Sequence, residues 1–494
     1  MYQSSLLKLI KSLDNKQIQE LEKFLRSPYH NTNKTLLAFF RYIRPYHPAL
    51  ESKKLDKKRA FHHLFPHEEY EDQKMRKQMT FLKSAIEEFL CIDLLKKDQL
   101  LQVELMNHYY YNIETYEEYA RRIKKSKTLL SKNIKNGEIY YHQLYALFER
   151  LFYHPGRSEY PSEKHLISNF ARHLDIYYIL SKLRLATDYN IRNNVVDEAT
   201  PFIIPIETLW SFVDKMEDQN ALITLYKLLY NFQFSVASVT ALSEVIDLYQ
   251  VNFQTIDKKE KSFILQLMIN ICIHYFNQGH TPFLSLIYRL FKLADEEELI
   301  LYQNKMQSSV FLNAVVMCSA YQKFAWVERF MKKYKYFLDE EERESVVQFA
   351  RAYLLYQKSL QEDSPKELMH EAFDLLAKIK YSGIIIDLRL RSLQLRILYE
   401  IDFPEVDIDL LNYYAKAFVE YLRRNRLISK NRKLAYKNFV KYLKNIVKLI
   451  GKTKPVPQDI LQLKNKIIAE EQLILQQWLL KKLEELDEFL QNRD

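Results

Sequence analysis

Apolar residues recur at spacings of three and four along almost the whole chain. Near the start, Ile18, Leu21, Phe24 and Leu25 follow this spacing. Because an α-helix turns once in about 3.6 residues, such positions share one face of a helix. Short segments with proline separate these runs, and residues 154–161, HPGRSEYP, are the best candidate for a domain boundary. The pattern predicts an all-α protein.

The proline breaks become regular after about residue 260. Pro282, Pro365 and Pro404 each precede a predicted helix, with 83 residues between the first two and 39 between the last two. A turn without proline, at 321–334, fits the boundary expected midway between the first two. Helical hairpins that repeat at about 40 residues are typical of an α-solenoid, in which each hairpin buries its apolar face against its neighbours. The predicted helix pairs are 262–278 with 282–294, 299–321 with 324–337, 344–361 with 365–380, and 384–400 with 405–424.

Two features of the sequence resemble known families. Ala352 and Tyr353 are the small and aromatic residues that helices of tetratricopeptide-like (TPR-like) proteins tend to use, and the chain resembles these α-helical repeat families over about residues 165–425. The W-x2-L-G-x2-Y pattern of those families does not occur. Residues 24–29, FLRSPY, resemble a turn shared by a family of bacterial helical proteins, which implies no activity. The first resemblance implies an extended surface for protein–protein interaction.

The sequence divides into three predicted parts. Residues 1–135 are expected to form an N-terminal helical domain, and residues 136–455 a helical-repeat solenoid with its clearest repeats at 262–425. Residues 456–494, after Pro455, are expected to form one long amphipathic helix. This helix would either cap the solenoid or pair with another chain.

Glycine is scarce, with five residues in a chain of 494. Loops that hold phosphate groups need clustered glycines, because these let backbone N–H groups approach the ligand closely. Neither GxGxxG nor GxxxxGK[ST] occurs, and G-x-S-x-G and HExxH are also missing from the sequence. We therefore predict no catalytic residue, no cofactor and no enzymatic activity. An enzyme with a site between the N-terminal domain and the solenoid is the alternative.

Residues 61–74 combine three histidines with four acidic residues, which are side chains that bind zinc or iron. His63 and His67 are four residues apart, as helical ligands often are. However, Pro66 lies between them and is expected to end the helix, so the two imidazole rings need not share a face. We expect this segment to be the solvent-exposed edge of a helix, and predict no metal site.

The cysteines and the apolar runs bear on the location of the protein. Cys91, Cys272 and Cys318 lie far apart among apolar neighbours, which predicts buried thiols in a reducing compartment. Charged residues interrupt every long apolar run, and the N-terminus lacks the apolar stretch of a signal peptide. We expect a cytoplasmic protein without integral membrane association.

Residues 421–458 hold an unusual concentration of positive charge. They contain twelve lysines and arginines and no acidic residue, whereas the whole chain has 73 basic and 63 acidic residues. The spacing of the lysines predicts a stripe along one face of a helix whose opposite face is apolar. Such a stripe suits a nucleic acid, an acidic protein segment or an anionic membrane surface. The candidate polyanion- or partner-binding residues within 421–455 are Arg423, Arg424, Arg426, Lys430, Arg432, Lys433, Lys437, Lys441, Lys444 and Lys448.

The sequence is compatible with more than one function for this basic segment. Its lysines could pair with acidic residues elsewhere on the solenoid or simply face water. Tyr421, Tyr436 and Tyr442 would offer rings on which single-stranded bases stack. The leading hypothesis is a non-enzymatic scaffold or regulator that binds a protein partner through its helical-repeat surface. The alternative is nucleic-acid binding through residues 421–458.

Overall fold

The computed structural model describes residue 1 and residues 4–133, 136–157, 165–193, 206–216, 220–232, 236–361, 367–379, 383–450 and 457–491. The regular secondary structure in these ranges consists of 23 α-helices and a few single-turn 3₁₀ helices, without a β-strand. The prediction of an all-α protein is therefore confirmed. In the same ranges, no helix has both the length and the apolar character needed to cross a membrane.

The chain forms two compact units. The N-terminal unit comprises Met1–Leu130 and Arg150–Pro161, and the C-terminal unit comprises Ser131–Glu149 and Ser162–Asp494. The predicted boundary at 154–161 lies partly outside the described residues. The first eight helices are α1 (Ser5–Lys11), α2 (Asn15–Arg26), α3 (Lys34–Ile43), α4 (Lys57–Leu64), α5 (Asp72–Lys97), α6 (Gln99–Tyr110), α7 (Tyr116–Asn133) and α8 (Glu138–Phe152).

Most of α8 and all of the remaining helices belong to the C-terminal unit. The remaining helices are α9 (His165–Asn193), α10 (Ile206–Val213), α11 (Ala221–Phe232), α12 (Val239–Asn252), α13 (Lys258–Asn277), α14 (Phe283–Glu296), α15 (Ser308–Ala320), α16 (Phe324–Tyr334), α17 (Arg343–Ser359), α18 (Glu367–Ala377), α19 (Gly383–Glu400), α20 (Ile408–Arg424), α21 (Lys430–Ile450), α22 (Pro457–Ile468) and α23 (Gln476–Gln491).

The N-terminal unit has an aromatic core among helices α1 to α5. Phe39, Phe40 and Phe61 are fully buried there. Side-chain caps begin several of these helices, and in α2 the backbone N–H of Gln17 donates to Asp14 Oδ1 at 2.7 Å while Gln17 Oε1 accepts the N–H of Asp14. Such caps satisfy N–H groups that the start of a helix leaves without an intrahelical partner.

One of the three thiols does not lie where the sequence predicts. Cys272 and Cys318 are buried, and burial raises the pKa of both thiols. Cys91 is exposed, so the expectation of a buried thiol is wrong at this position. The reason is the orientation of α5, which buries a row of residues that includes Leu82, Ile86 and Phe89, and Cys91 lies outside that row.

Consecutive helices of the C-terminal unit pack against each other. α13 packs on α14, α15 on α16, α17 on α18 and α19 on α20, and α15 also packs against α17. All eight helices predicted between residues 262 and 424 are present, and all but one begin within about four residues of the predicted start. α15 begins at Ser308 and not at 299, because Gln303 and Asn304 adopt φ angles of 50° and 58°, which a right-handed helix does not contain.

The segment after residue 456 is not the single helix that the sequence predicts. α22 ends at Ile468 and α23 begins at Gln476, with Leu475 at a φ of 54° between them. Gln476 Nε2 donates to the carbonyl oxygen of Ile467 at 2.6 Å, which satisfies an acceptor at the end of α22. The break is favourable because the apolar rows of the two halves differ in phase, and only a turn buries both Ile467 and Leu479 in one core.

A buried ion pair fixes α23 to α19. Lys482 Nζ lies 2.9 Å from Glu400 Oε1, and these side chains are only 8% and 5% exposed. Trp478 Nε1 and Tyr356 Oη also donate hydrogen bonds to Glu400 Oε1, at 2.7 and 3.1 Å. Because a buried charge is costly without partners, these contacts hold the C-terminal helix on the rest of its unit.

Candidate polyanion-binding surface

The basic segment starts at the end of α20, where two arginines share one carboxylate. Arg423 and Arg424 both pair with Glu420, at 2.8 and 2.5 Å. Hydrogen bonds from these two guanidinium groups lower the pKa of Glu420 to about 2. Glu420 immediately precedes the acid-free segment, so part of the positive charge of the two arginines is neutralised by their own helix.

A short turn then leads into α21. The side chain of Asn425 accepts a hydrogen bond from the backbone N–H of Leu427 at 3.0 Å, and Ser429 Oγ accepts one from the N–H of Arg432 at 3.3 Å. Ile428 is buried and anchors the turn, whereas Leu427 is 83% exposed. These contacts set the point at which α21 begins and the direction in which its lysines face.

α21 buries one face and presents lysines on the other. Phe439, Leu443 and Ile446 are fully buried in the core that α21 shares with α20 and α23. At about 100° of rotation per residue, the six lysines lie within about 80° of one another around the helix axis, over a length of about 27 Å. We call this row the lysine stripe; its members are Lys430, Lys433, Lys437, Lys441, Lys444 and Lys448.

The lysine stripe has no acidic partner among the described residues. Lys430, Lys437, Lys441 and Lys448 are exposed, and Lys433 and Lys444 are half-buried. Throughout the described ranges, none of the six ammonium groups lies within 4.0 Å of a carboxylate oxygen, and the nearest aromatic contact is Lys441 at 5.0 Å from the ring centroid of its neighbour Tyr442. The alternative in which the stripe pairs with acidic residues of its own chain therefore finds no support among the described residues.

Arg432 does not belong to this row. It lies about 160° around the helix from Lys430, is half-buried and bonds to the side chain of Tyr436. Burial raises the pKa of Tyr436, and the positive charges of Arg432 and Arg389 oppose that shift. The candidate residues thus separate into the stripe, the arginines near Glu420 with exposed Arg426, and Arg432 on the inner side.

The hypothesis of base stacking is wrong for two of the three tyrosines. Tyr436 and Tyr442 are buried, and Tyr442 Oη donates to Glu470 Oε2 at 3.0 Å. The ring of Tyr421 is half-buried and covered by the guanidinium group of Arg391, 4.5 Å from the ring centroid. The rings of Tyr436 and Tyr442 face the core because the helix period places them on the side of α21 away from the lysines, so no base can stack on these two rings.

Two exposed leucines lie beside the stripe, and the sequence prediction of a basic surface does not include them. Leu427 precedes α21, and Leu434 is 45% exposed at a position about 40° around the helix from Lys430. An apolar residue among lysines at helical spacing is the signal that could have identified Leu434. The surface therefore combines positive charge with apolar contacts.

The histidine-rich segment has ordinary packing and ion-pairing roles. The ring of His63 lies against that of Tyr42, with centroids 4.7 Å apart. Asp72 bonds to Tyr70 and pairs with Lys57, at 2.7 and 3.1 Å. Among the residues that the structure describes, no group of three or more histidine, cysteine or acidic side chains is arranged to hold a metal ion.

Comparisons of this chain with protein-family models, with curated proteins and with solved structures find no match.

Proposed function

We propose that the chain is a non-enzymatic interaction scaffold, built as a TPR-like α-solenoid and capped by its last two helices. Four helical hairpins run from α13 to α20, and their first helices begin at Lys258, Ser308, Arg343 and Gly383, an average spacing of about 42 residues. Packing of each hairpin on the next, as between α15 and α17, supports this architecture. Stacked hairpins suit a scaffold because they offer an extended surface to a partner.

The lysine stripe is the proposed contact surface, and the observation that carries the proposal is that no acidic side chain of the described ranges pairs with it. Six like charges in a row on a packed helix attract a partner with a complementary negative surface. The exposed Leu427 and Leu434 beside the stripe favour a protein segment that carries both acidic and apolar side chains. An acidic segment of a protein partner is therefore the first candidate.

Nucleic acid is the second candidate, because the stripe is long and acid-free. If all six lysines contact phosphates, the logarithm of the binding constant should fall with the logarithm of salt concentration with a slope of about −4 to −5.5. The buried tyrosines provide no stacking platform, so this binding would depend on the phosphate backbone and not on base sequence.

One pair of variants tests both candidates. The stripe variant carries Lys437→Glu, Lys441→Glu and Lys448→Glu, and the control variant carries Lys34→Glu, Lys305→Glu and Lys416→Glu at exposed positions elsewhere. Both variants change the net charge equally. Fluorescence anisotropy with labelled single-stranded and duplex DNA and RNA, from about 50 to about 300 mM salt, measures nucleic-acid binding. Affinity capture with mass spectrometry measures protein partners.

The expected result is a protein partner that the wild type and the control variant retain and that the stripe variant loses. Salt-sensitive DNA or RNA binding with the same pattern would favour the second candidate. Equal binding by the stripe and control variants in both assays would show that the stripe is only a solvated face and would refute the proposed contact surface.

A further inference from the structure

The turn FLRSPY at residues 24–29 leads to a second cluster of positive charge, in the N-terminal unit. Its arginine, Arg26, lies at the end of α2 and points to Glu22, one helical turn earlier. Arg41 of α3 and Arg44 just after α3 point to the same carboxylate. We call the three arginines around Glu22 the arginine triad.

Contacts with Glu22 fix the positions of the three arginine side chains. This carboxylate is buried, with its side chain 9% exposed. Arg26 Nη2 and Arg41 Nε lie 2.6 and 3.0 Å from Glu22 Oε1, and Arg44 Nη1 donates to Oε2. The arginine side chains are 58%, 48% and 42% exposed, and each contacts Glu22 through one guanidinium nitrogen, so each side chain keeps both donors and exposed surface for a further ligand.

The charges do not balance within this cluster. Burial alone would raise the pKa of Glu22, but the hydrogen bonds from Arg41 and Arg26 lower it overall, so the carboxylate is ionised at neutral pH. One negative charge then faces three positive charges. No other acidic side chain of the described ranges pairs with any of the three arginines. Two uncompensated positive charges repel each other at close range unless an anion lies between them.

An ion pair that only joined α2 to α3 would need one arginine, because a single bidentate guanidinium group neutralises a carboxylate. Two additional guanidinium groups, both half-exposed and held in place, exceed that requirement. Held guanidinium groups lose little further side-chain entropy when they bind an anion, and their planar N–H forks match the oxygens of a phosphoryl group.

We infer that the arginine triad is a binding site for a phosphoryl dianion, either inorganic phosphate or a phosphate monoester. The free edges of Arg26, Arg41 and Arg44 donate to the phosphoryl oxygens, and Glu22 orients the three side chains without touching the ligand. This site is independent of the lysine stripe, which belongs to the other unit.

Isothermal titration calorimetry of the full chain with inorganic phosphate and with phenyl phosphate, at constant ionic strength set with chloride, tests this site. The wild type should bind at least one probe saturably. Arg41→Ala should weaken that binding at least about tenfold, and Arg41→Lys, which keeps the charge but loses the fork, should weaken it less. Whichever probe binds more tightly identifies the free ion or the ester as the ligand.

Arg76→Ala is the matched control, because Arg76 is an exposed arginine of the same unit that pairs with Asp72 alone. It should leave phosphate binding unchanged, as should the stripe variant. The broadening of the ³¹P resonance of phosphate provides a second measure, and circular dichroism shows whether Arg41→Ala is folded; if it is not, the Arg41→Lys variant replaces it. Absence of saturable binding in the wild type, or equal loss in Arg76→Ala and in the Arg41 variants, would overturn the inference.

Discussion

Glu260 shows how a single buried carboxyl group can join several helices. It is 5% exposed on α13, and Tyr226 of α11 donates a hydrogen bond to its Oε2 at 2.5 Å. Arg184 of α9 lies 3.6 Å from Oε1 and also pairs with Glu138 of α8 at 2.6 Å. Burial raises the pKa of Glu260, against the opposing effects of Tyr226 and Arg184.

The raised pKa of Glu260 predicts a specific pH dependence of stability. The folded state holds the proton more tightly than the unfolded state, so this group costs stability progressively as pH rises from its unfolded value near 4.5 through its folded value. Glu260→Gln removes this titration and keeps an acceptor for Tyr226. Its free energy of unfolding, measured with urea, should rise relative to wild type between about pH 4 and pH 7. A constant difference across this range would contradict the assignment.

The end of α15 depends on one residue in the left-handed backbone conformation. Gln322 has a φ of 58° after the end of α15. The N–H of Lys323 donates to the carbonyl of Cys318 and the N–H of Gln322 to that of Ser319, both at 2.9 Å, which is the Schellman arrangement. A left-handed residue at this position usually is glycine, because a Cβ atom is unfavourable there.

Gln322→Gly should therefore stabilise the protein by about 0.5–1 kcal/mol, since relief of the left-handed strain exceeds the added entropy of the unfolded chain. Thermal unfolding followed by circular dichroism measures the gain. Gln322→Ala, which keeps the Cβ atom, serves as the control and should show no increase in melting temperature. A lower melting temperature for the glycine variant would argue against the left-handed conformation.

Helix positions were predictable where the apolar period is strong and a turn residue marks each end. The helices from α13 to α20 follow this rule except at the start of α15. Leu299, Ile300 and Leu301 continue an apolar run, but the two left-handed residues at 303 and 304 end the helical path. Neither Gln303 nor Asn304 is a glycine, so the sequence contains little signal for this turn.

At the scale of the whole molecule, the two units have separate hydrophobic cores. The core of the N-terminal unit contains Phe40, and a core of the C-terminal unit contains Phe311; both side chains are fully buried. Because each unit buries its own apolar side chains, a cavity in one core removes stabilisation mainly from that unit.

Phe40→Ala should lower the stability of the N-terminal unit by about 3–5 kcal/mol. Hydrogen–deuterium exchange followed by mass spectrometry should show faster exchange in peptides from α1 to α5 and unchanged exchange in peptides from α13 to α18. Phe311→Ala provides the reciprocal control, with faster exchange in α13 to α18. Faster exchange across both units from either substitution would show that they unfold as one.

The order of residues along the chain is sufficient for the helical class, for most helices between 262 and 424 and for the lysine row, because these depend on short-range period and on local charge. Contacts between distant helices determine the rest. The burial of Glu260, the break before α23 and the covering of Tyr421 all require a partner dozens of residues away. Burial and pairing are properties of neighbours in space. The exposure of the lysine stripe and the excess positive charge of the arginine triad therefore arise only once the helices have packed.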